Sequence, residues 1–310
     1  MNTKKALLIA RYSARNSVRG GVGLVFLLLS LTFGLVVANA LLSPVEMLTK
    51  EVLEMTGDAP KERVTEQVLE RMMEQARTPV AWLLTPAETG DEDVDEQAAE
   101  AAEDWAEYLL ADRPAILSAI WMVLLFGWPL IVACGAFDLT AGDIASRQLR
   151  YHLLRADRSS IFFGRLLGMT LTFAIVLLML GATISGYLMI KLPLYEVTDV
   201  LAWTGYSLLA LAVVTLPYVG LCSWISTSIA SSFGSLTVVS LIIGGVPLFA
   251  MFARSAYEPA GNISYLLPWG YQTRLFHNDP AQVALAAGGC LAQAAVFFWL
   301  GHRKFTRRDL

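Results

Sequence analysis

The sequence predicts an all-α integral membrane protein, six transmembrane helices with an extracytoplasmic helical insertion between the first and second spans. Two observations predict it. Of 310 residues, 55% are hydrophobic and only 16% are charged, where an ordinary soluble domain carries about 25% charged residues. The apolar residues also gather into six runs, each long enough to cross a hydrocarbon core of about 30 Å, which takes roughly 20 helical residues. Intrinsic disorder, a collagen-like fibre and a disulfide-stapled secreted scaffold are excluded by the same composition, which holds three Cys.

In chain order, residues 1–21 read as a basic interfacial helix on the cytoplasmic side and 22–42 as the first span. Residues 43–114 form an acidic extracytoplasmic insertion, and 115–301 hold five further spans at 115–136, 166–190, 201–226, 235–253 and 281–301. A cytoplasmic loop covers 137–165, and 302–310 is a cytoplasmic basic tail. Gly244, Gly245 and Pro247 interrupt the fifth span and predict a kink there.

Orientation follows from the short loops, because Lys and Arg are retained on the cytoplasmic side. With the N-terminus inside, 14 basic residues fall on inner segments, among them Lys4, Lys5, Arg11, Arg15, Arg147, Arg150, Arg155, Arg158, Arg303, Lys304, Arg307 and Arg308. The short outer loops carry Lys191, Arg254 and Arg274. Both termini are therefore expected in the cytoplasm of a cell carrying the chain in its inner or plasma membrane. A rival reading of the start is a cleaved signal peptide ending at Ala38-Asn39-Ala40, but its apolar run exceeds the usual 7 to 15 residues by a wide margin, roughly 20 in all.

The acidic block has its own periodicity. From Pro44 to Arg113 there are 19 acidic and 6 basic residues. Val64, Val68, Met72 and Ala76 recur every four positions beside a stripe of Glu62, Glu66, Glu70 and Glu74, while Val94, Ala98, Ala101, Trp105 and Leu109 repeat at helical spacing. These predict two amphipathic helices, a hairpin joined by a turn around Pro79 to Asp93, whose apolar stripes pack on each other or on the membrane part. A partner outside the membrane could dock on this projection. The run Asp91-Glu92-Asp93-Val94-Asp95-Glu96 lacks the glycine of a calcium-binding loop and reads as a solvated charge run.

Within the six spans there is no Asp, Glu, Lys, Arg or His. Ion-coupled transporters keep ionisable groups near the bilayer centre, so this absence argues against a secondary transporter and against intramembrane proteases. No phosphate-binding loop of the G-x-x-x-x-G-K-[ST] form occurs, so energy for uphill transport has to come from another chain. Cys134, Cys222 and Cys290 read as small apolar residues at helix contacts, and His152, His277 and His302 make no metal-ligand spacing. Gly181 with Ser185, and Ala182 with Gly186, are small pairs suited to close helix packing. The hydroxyl-rich stretch from Ser226 to Ser235 reads as a hydrophilic turn.

The most informative segment runs from Phe137 to Arg158. Leu149 and Leu153 stand at i,i+4, where they could enter a partner's groove, and Arg147, Arg150, Arg155 and Arg158 surround them. On the residues alone, a helix lying on anionic headgroups is an equal alternative. The segment resembles the type-2 ABC transporter permease family. Members have six spans, inside termini and an inner loop of the form acidic, x, x, small, Gly-Thr-Leu, Leu-Leu, Pro-x-Ser-Arg and Gly-Lys-Leu-Leu. Here the match is Asp143, Ser146, Leu149, Arg150, Tyr151, Leu153 and Leu154, closing with Gly164-Arg165-Leu166-Leu167. Arg147 and Gln148 stand where Gly-Thr is usual, and Ala156 where Pro is usual. The tail Arg303-Lys304-Phe305-Thr306-Arg307-Arg308 and the stretch Leu267-Pro268-Trp269-Gly270-Tyr271 are also similar to family features, and the general likeness is to the branch serving multi-copper-enzyme maturation. No ladder of Met or Cys through the spans supports copper passage.

The resemblance implies that this loop is a coupling helix seated on a separate soluble ATPase, with Asp143, Arg147, Leu149, Arg150, Leu153, Leu154, Arg155 and Arg158 at the contact. It implies a permease, of the exporter kind, in a complex of an ATPase dimer and two permeases, the second a copy or a paralogue. ATP and Mg would sit on the ATPase. This chain would carry no catalytic residue, bind no cofactor or metal itself, and have membrane lipids but no nucleic acid as further partners. The other function class left open is a non-transporting mechanotransmission scaffold that acts on an extracytoplasmic partner through the acidic insertion.

Overall fold

A computed structural model describes residues 3–19, 22–56, 60–84, 92–147, 149–154, 156–256, 263 and 265–308. The described residues are helical with no strand, and six of the helices are long and apolar enough to cross a membrane. The chain is thus an all-α, multi-pass membrane protein.

The N-terminal helix α1, Thr3–Arg19, leads into α2, Val22–Thr56. This second helix does not stop near residue 42 as expected; it continues through Pro44, so the first span enters the insertion as one rod of 35 residues, about 52 Å long. Next come α3, Lys61–Leu84, and α4, Glu92–Leu110. Pro79 lies inside α3 and does not open the hairpin turn; the rest of that expected turn, residues 85–91, lies outside the described residues.

The stripe prediction for α3 holds, with Val64 and Val68 buried and Glu62, Glu66, Glu70 and Glu74 exposed. In α4 the register differs by one residue: Ala102, Trp105, Ala106 and Leu109 are buried while Ala101 is exposed. Arg77 and Glu107 pair at 2.7 Å across the two helices. The hairpin also packs on the membrane part, since the Trp105 indole N–H donates to the Phe276 carbonyl at 2.8 Å.

The remaining spans are α5, Ala115–Ala136, then α8, Arg158–Lys191, α9, Val197–Ser228, α10, Ser232–Ala256, and α12, Pro280–Arg307. Between α5 and α8 lie two short helices, α6, Ala141–Ala145, and α7, Leu149–Leu153. Before α12, the short helix α11, Trp269–Gln272, runs into a 3-10 turn, Thr273–Phe276. Gly244, Gly245 and Pro247 lie within α10 without ending it.

The core is apolar and aromatic: Trp121, Trp128, Tyr218 and Phe173 are among the largest fully buried side chains. Some of its polar groups pair across helices, though the Trp121 and Trp203 indole N–H groups and the Ser118 and Ser207 hydroxyls are buried without a hydrogen-bond partner among the described residues. Trp128 donates to Thr215 at 2.7 Å, and Ser185 bonds Thr204 at 2.7 Å. Of the small pairs, Gly181 lies against Leu208 of α9, whereas Gly186 faces open space. Cys222 and Cys290 are buried, whereas Cys134 is exposed.

A close helix approach joins α1 to α8. A Cβ on Gly164 would sit 2.8 Å from the Ala6 carbonyl oxygen, and one on Gly168 would sit 2.7 Å from that of Ala10. Two glycines four apart thus receive two alanines four apart, the small-residue packing that lets backbones touch. The opposite face of α1 exposes Leu7, Leu8 and Tyr12 beside the exposed Lys4, Arg11 and Arg15. That is the arrangement of a helix lying in a membrane interface.

Candidate functional site: the α6–α7 segment

Six spans return the chain to its starting side, so α1, the α6–α7 segment and the end of α12 share one end of the bundle. The α3–α4 hairpin occupies the other. The α6–α7 segment is built as a rigid elbow rather than as one helix.

A five-residue helix such as α6 has nearly all its N–H groups unpartnered within itself. Here the partners come from elsewhere in the chain. The Ser226 hydroxyl, at the end of α9, accepts from the Thr140 N–H at 2.8 Å and the Ala141 N–H at 2.9 Å. It also bonds the Thr140 hydroxyl at 3.1 Å. The Asp138 carboxylate accepts from the Gly142 N–H at 2.6 Å and from the Ser232 hydroxyl, at the start of α10, at 2.8 Å. Ser235 donates to the Phe137 carbonyl at 2.7 Å. From α8, Arg165 donates to the Leu139 carbonyl at 2.9 Å and pairs with Asp143. The segment is thereby tied to three spans, and the Ser226 to Ser235 stretch is its tertiary cap and not a plain hydrophilic turn. Hydroxyl richness was visible in the sequence, but its target, 86 positions away, was not.

The elbow bends at Arg147. Its φ is 59°, the left-handed region that favours glycine. It follows Ser146, the residue that closes α6, and so occupies the position after a helix end where glycine is most common.

Beyond the bend, the predicted contact residues divide. Leu149 is buried, in a small cluster with Ile161, Phe162 and Phe305, and Leu153 packs beside it. Leu149 therefore faces the chain's own core at this end and is unavailable to a partner's groove. Burial of each such side chain contributes about 1.5–3 kcal/mol. The apolar side chains left in solvent are Tyr151, 73% exposed, and Leu154, 83% exposed.

Asp143 is committed to Arg165, and Arg147 is exposed. Arg158 turns away from the elbow, donating to the Thr306 and Arg308 carbonyls at 2.7 Å each. The Arg150 side chain and the whole of Arg155 lie outside the described residues. Asp157 caps α8 by accepting from the Ser160 N–H at 3.2 Å, and the Ser160 hydroxyl holds its carboxyl below the ordinary range.

Among the described residues, no group of three or more His, Cys, Asp or Glu side chains converges as a metal site would require. What the arrangement can do is mechanical. A short exposed apolar knuckle, Tyr151 and Leu154, stands on an elbow whose base is fastened to the ends of α8, α9 and α10. A force on the knuckle passes to those helices through hydrogen bonds and an ion pair, with little slack.

No protein-family model matches the sequence, and no curated protein matches it.

Proposed function

We propose that the chain is the membrane-spanning subunit of an ATP-driven ABC transporter of the exporter kind, taking its energy from a separate soluble ATPase seated on the α6–α7 elbow. The observation that carries this reading is the elbow itself, rigid at its base and apolar at its exposed tip. Support also comes from Arg147, whose left-handed backbone falls at the position where the resembled permease family carries glycine. In this reading both termini and the elbow are cytoplasmic, the chain pairs with a second permease, and closure of the ATPase dimer on ATP tilts α8, α9 and α10. Docking passes from Leu149 to Tyr151 and Leu154, flanked by the basic residues around them.

A second reading has its own observation. Because α2 runs unbroken from the first span into the insertion, the same ATP-driven tilt would swing the acidic hairpin, as a mechanotransmission scaffold acting on an extracytoplasmic partner requires.

The test is purification of the tagged full-length chain from its native membrane, with identification of whatever soluble ATPase is retained in stoichiometric amount. Leu154→Asp should release that ATPase while leaving the melting midpoint unchanged, because the side chain is in solvent. Leu149→Asp should lower the midpoint, because it buries an unpaired charge. Retention of the ATPase by Leu154→Asp and by Tyr151→Ala alike would remove the docking assignment. Substrate efflux that survives deletion of the hairpin would favour the exporter over the scaffold.

A further inference from the structure

We propose that the cleft where α9 and α12 end is a binding site for the phosphate headgroup of an anionic phospholipid. It is a cavity of ≈ 650 Å³ with Trp224 and Leu300 on its apolar side and Arg303, Lys304, Arg307 and Arg308 on the other. Four cations line one space, and among the described residues none forms an ion pair with a carboxylate.

The neighbouring carboxylates are committed elsewhere. Asp138 accepts from Gly142 and Ser232, Asp143 pairs with Arg165, and Asp157 caps α8. From Arg303 onward the sequence offers Asp309 as its one acidic side chain. None of these described carboxylates meets the four cations, and an anion from outside the chain fits the space.

The walls are held in place. Arg158 grips the Thr306 and Arg308 carbonyls, the Arg308 guanidinium donates to the Thr227 carbonyl on α9, and Trp224 stacks on Phe297 with ring centres 6.1 Å apart. The cations therefore stand around a fixed space rather than on a free tail.

Depth selects a lipid over a free anion. One turn before the cleft, Trp299 is 56% exposed, and the Arg303 guanidinium lies 5.2 Å from its ring centre. An exposed Trp beside Arg at the end of a span marks the headgroup level. Trp224 and Leu300 then supply an apolar wall for the glycerol and upper acyl chain, which inorganic phosphate would leave bare. Basic pockets between spans are a recurrent form of headgroup site.

The experiment uses the full-length protein in a neutral detergent and titrates phosphatidylglycerol, phosphatidylcholine or inorganic phosphate, reading the melting midpoint and the lipid retained in native mass spectra. Phosphatidylglycerol should raise the midpoint saturably, and phosphatidylcholine should not. Neutralising the exposed Arg303, Lys304 and Arg307 together to Gln should weaken half-saturation by roughly tenfold or more, since each basic residue contributes appreciably at an anionic surface. A comparator that neutralises the equally exposed Lys4, Arg11 and Arg15 on α1 should change it by less than about threefold. If the first triple variant melts lower without lipid, Arg307→Gln alone is read in the same way. Equal losses in both triples, unchanged binding in the first, or displacement of the lipid by inorganic phosphate would each overturn the proposal.

Discussion

Ser226→Ala isolates the fastening of the elbow. The Ser226 hydroxyl is fully buried and accepts two backbone N–H groups, those of Thr140 and Ala141. Alanine keeps the helix propensity of α9 and nearly the same volume, so the change removes the acceptor and little else. Each donor left unsatisfied in a dry site costs about 1–3 kcal/mol. Local relaxation recovers part of that, which leaves a destabilisation of about 2–4 kcal/mol concentrated at the start of α6. With a factor of ten for every 1.4 kcal/mol, the amides of α6 should exchange with solvent roughly 30 to 1,000 times faster.

The assay is hydrogen–deuterium exchange on peptides covering residues 138–146 in detergent. Ser228→Ala serves as the control, since that hydroxyl bonds the Trp224 carbonyl of its own helix at 2.9 Å. Unchanged protection in Ser226→Ala, or an equal loss in Ser228→Ala, would refute the tertiary cap. Where the ATPase is present, the same variant should weaken the link between nucleotide hydrolysis and transport while leaving the ATPase bound, because the Tyr151 and Leu154 tip is untouched.

Arg147→Gly should raise stability, since a left-handed non-glycine residue costs about 1–2 kcal/mol; thermal melts should move upward, whereas Arg147→Val should lower them. A second test concerns the seat of the hairpin. The His277 ring lies 4.6 Å from the Trp105 ring, and its Nδ1 accepts from the Asp279 N–H at 2.9 Å. Burial pushes its pKa below the ordinary imidazole value, with Asp279 opposing and Arg274 adding to the shift. A His with a lowered folded pKa binds protons more readily when unfolded, so its contribution is complete above the unfolded value near 6.5 and is lost as pH falls through the folded one. Hairpin protection measured by exchange should therefore fall between about pH 7 and pH 5. His277→Gln should flatten that slope, and an unaltered slope in the variant would assign it to other groups.

The six spans were legible because a run of about 20 apolar residues has one stable solution in lipid. The α3 stripe was equally plain, four valine, methionine and alanine positions against four glutamates. Ends were harder to place. The first span reads as ending at 42 and Pro79 as opening a turn, yet α2 runs on through Pro44 and α3 through Pro79, because proline costs one hydrogen bond that flanking packing can offset. The candidate site was half legible. Its location followed from charge and spacing, but two leucines at i,i+4 look alike whether they serve a partner or the chain's own core. The tertiary structure covers Leu149 with Ile161, Phe162 and, from the far end of the chain, Phe305. The cap by Ser226 left a composition signal without a direction, since a hydroxyl's target is set by tertiary structure.

The elbow and the hairpin stand at opposite ends of the bundle, and two helices run from the elbow to the insertion. α8, capped by Asp157 just after the elbow, ends at Lys191, which pairs with Glu46 of α2 at 3.0 Å where that helix enters the insertion. α9 carries Ser226, the elbow's cap, in its last turn, and near its start Trp203 meets Tyr108 and Arg113 of the insertion, with centres 6.1 Å and 5.1 Å away. Both helices are about 50 Å long, so a tilt of about 10° about one end displaces the other by about 9 Å. Neither exposed ion pair nor cation–π contact could resist such a displacement, each contributing about 1 kcal/mol or less at a solvated site. The hairpin must then either travel with α2, α8 and α9 or slide on them. Its indole bond from Trp105 to the buried Phe276 carbonyl ties it to the turn before α12, which the Tyr206 hydroxyl of α9 also holds through the Leu275 carbonyl. This favours travel with α9, because sliding would strip a buried acceptor of its donor. In the proposed reading, motion driven at the elbow would reach the acidic hairpin through α9 and that turn, to open an exit path or to press on a partner.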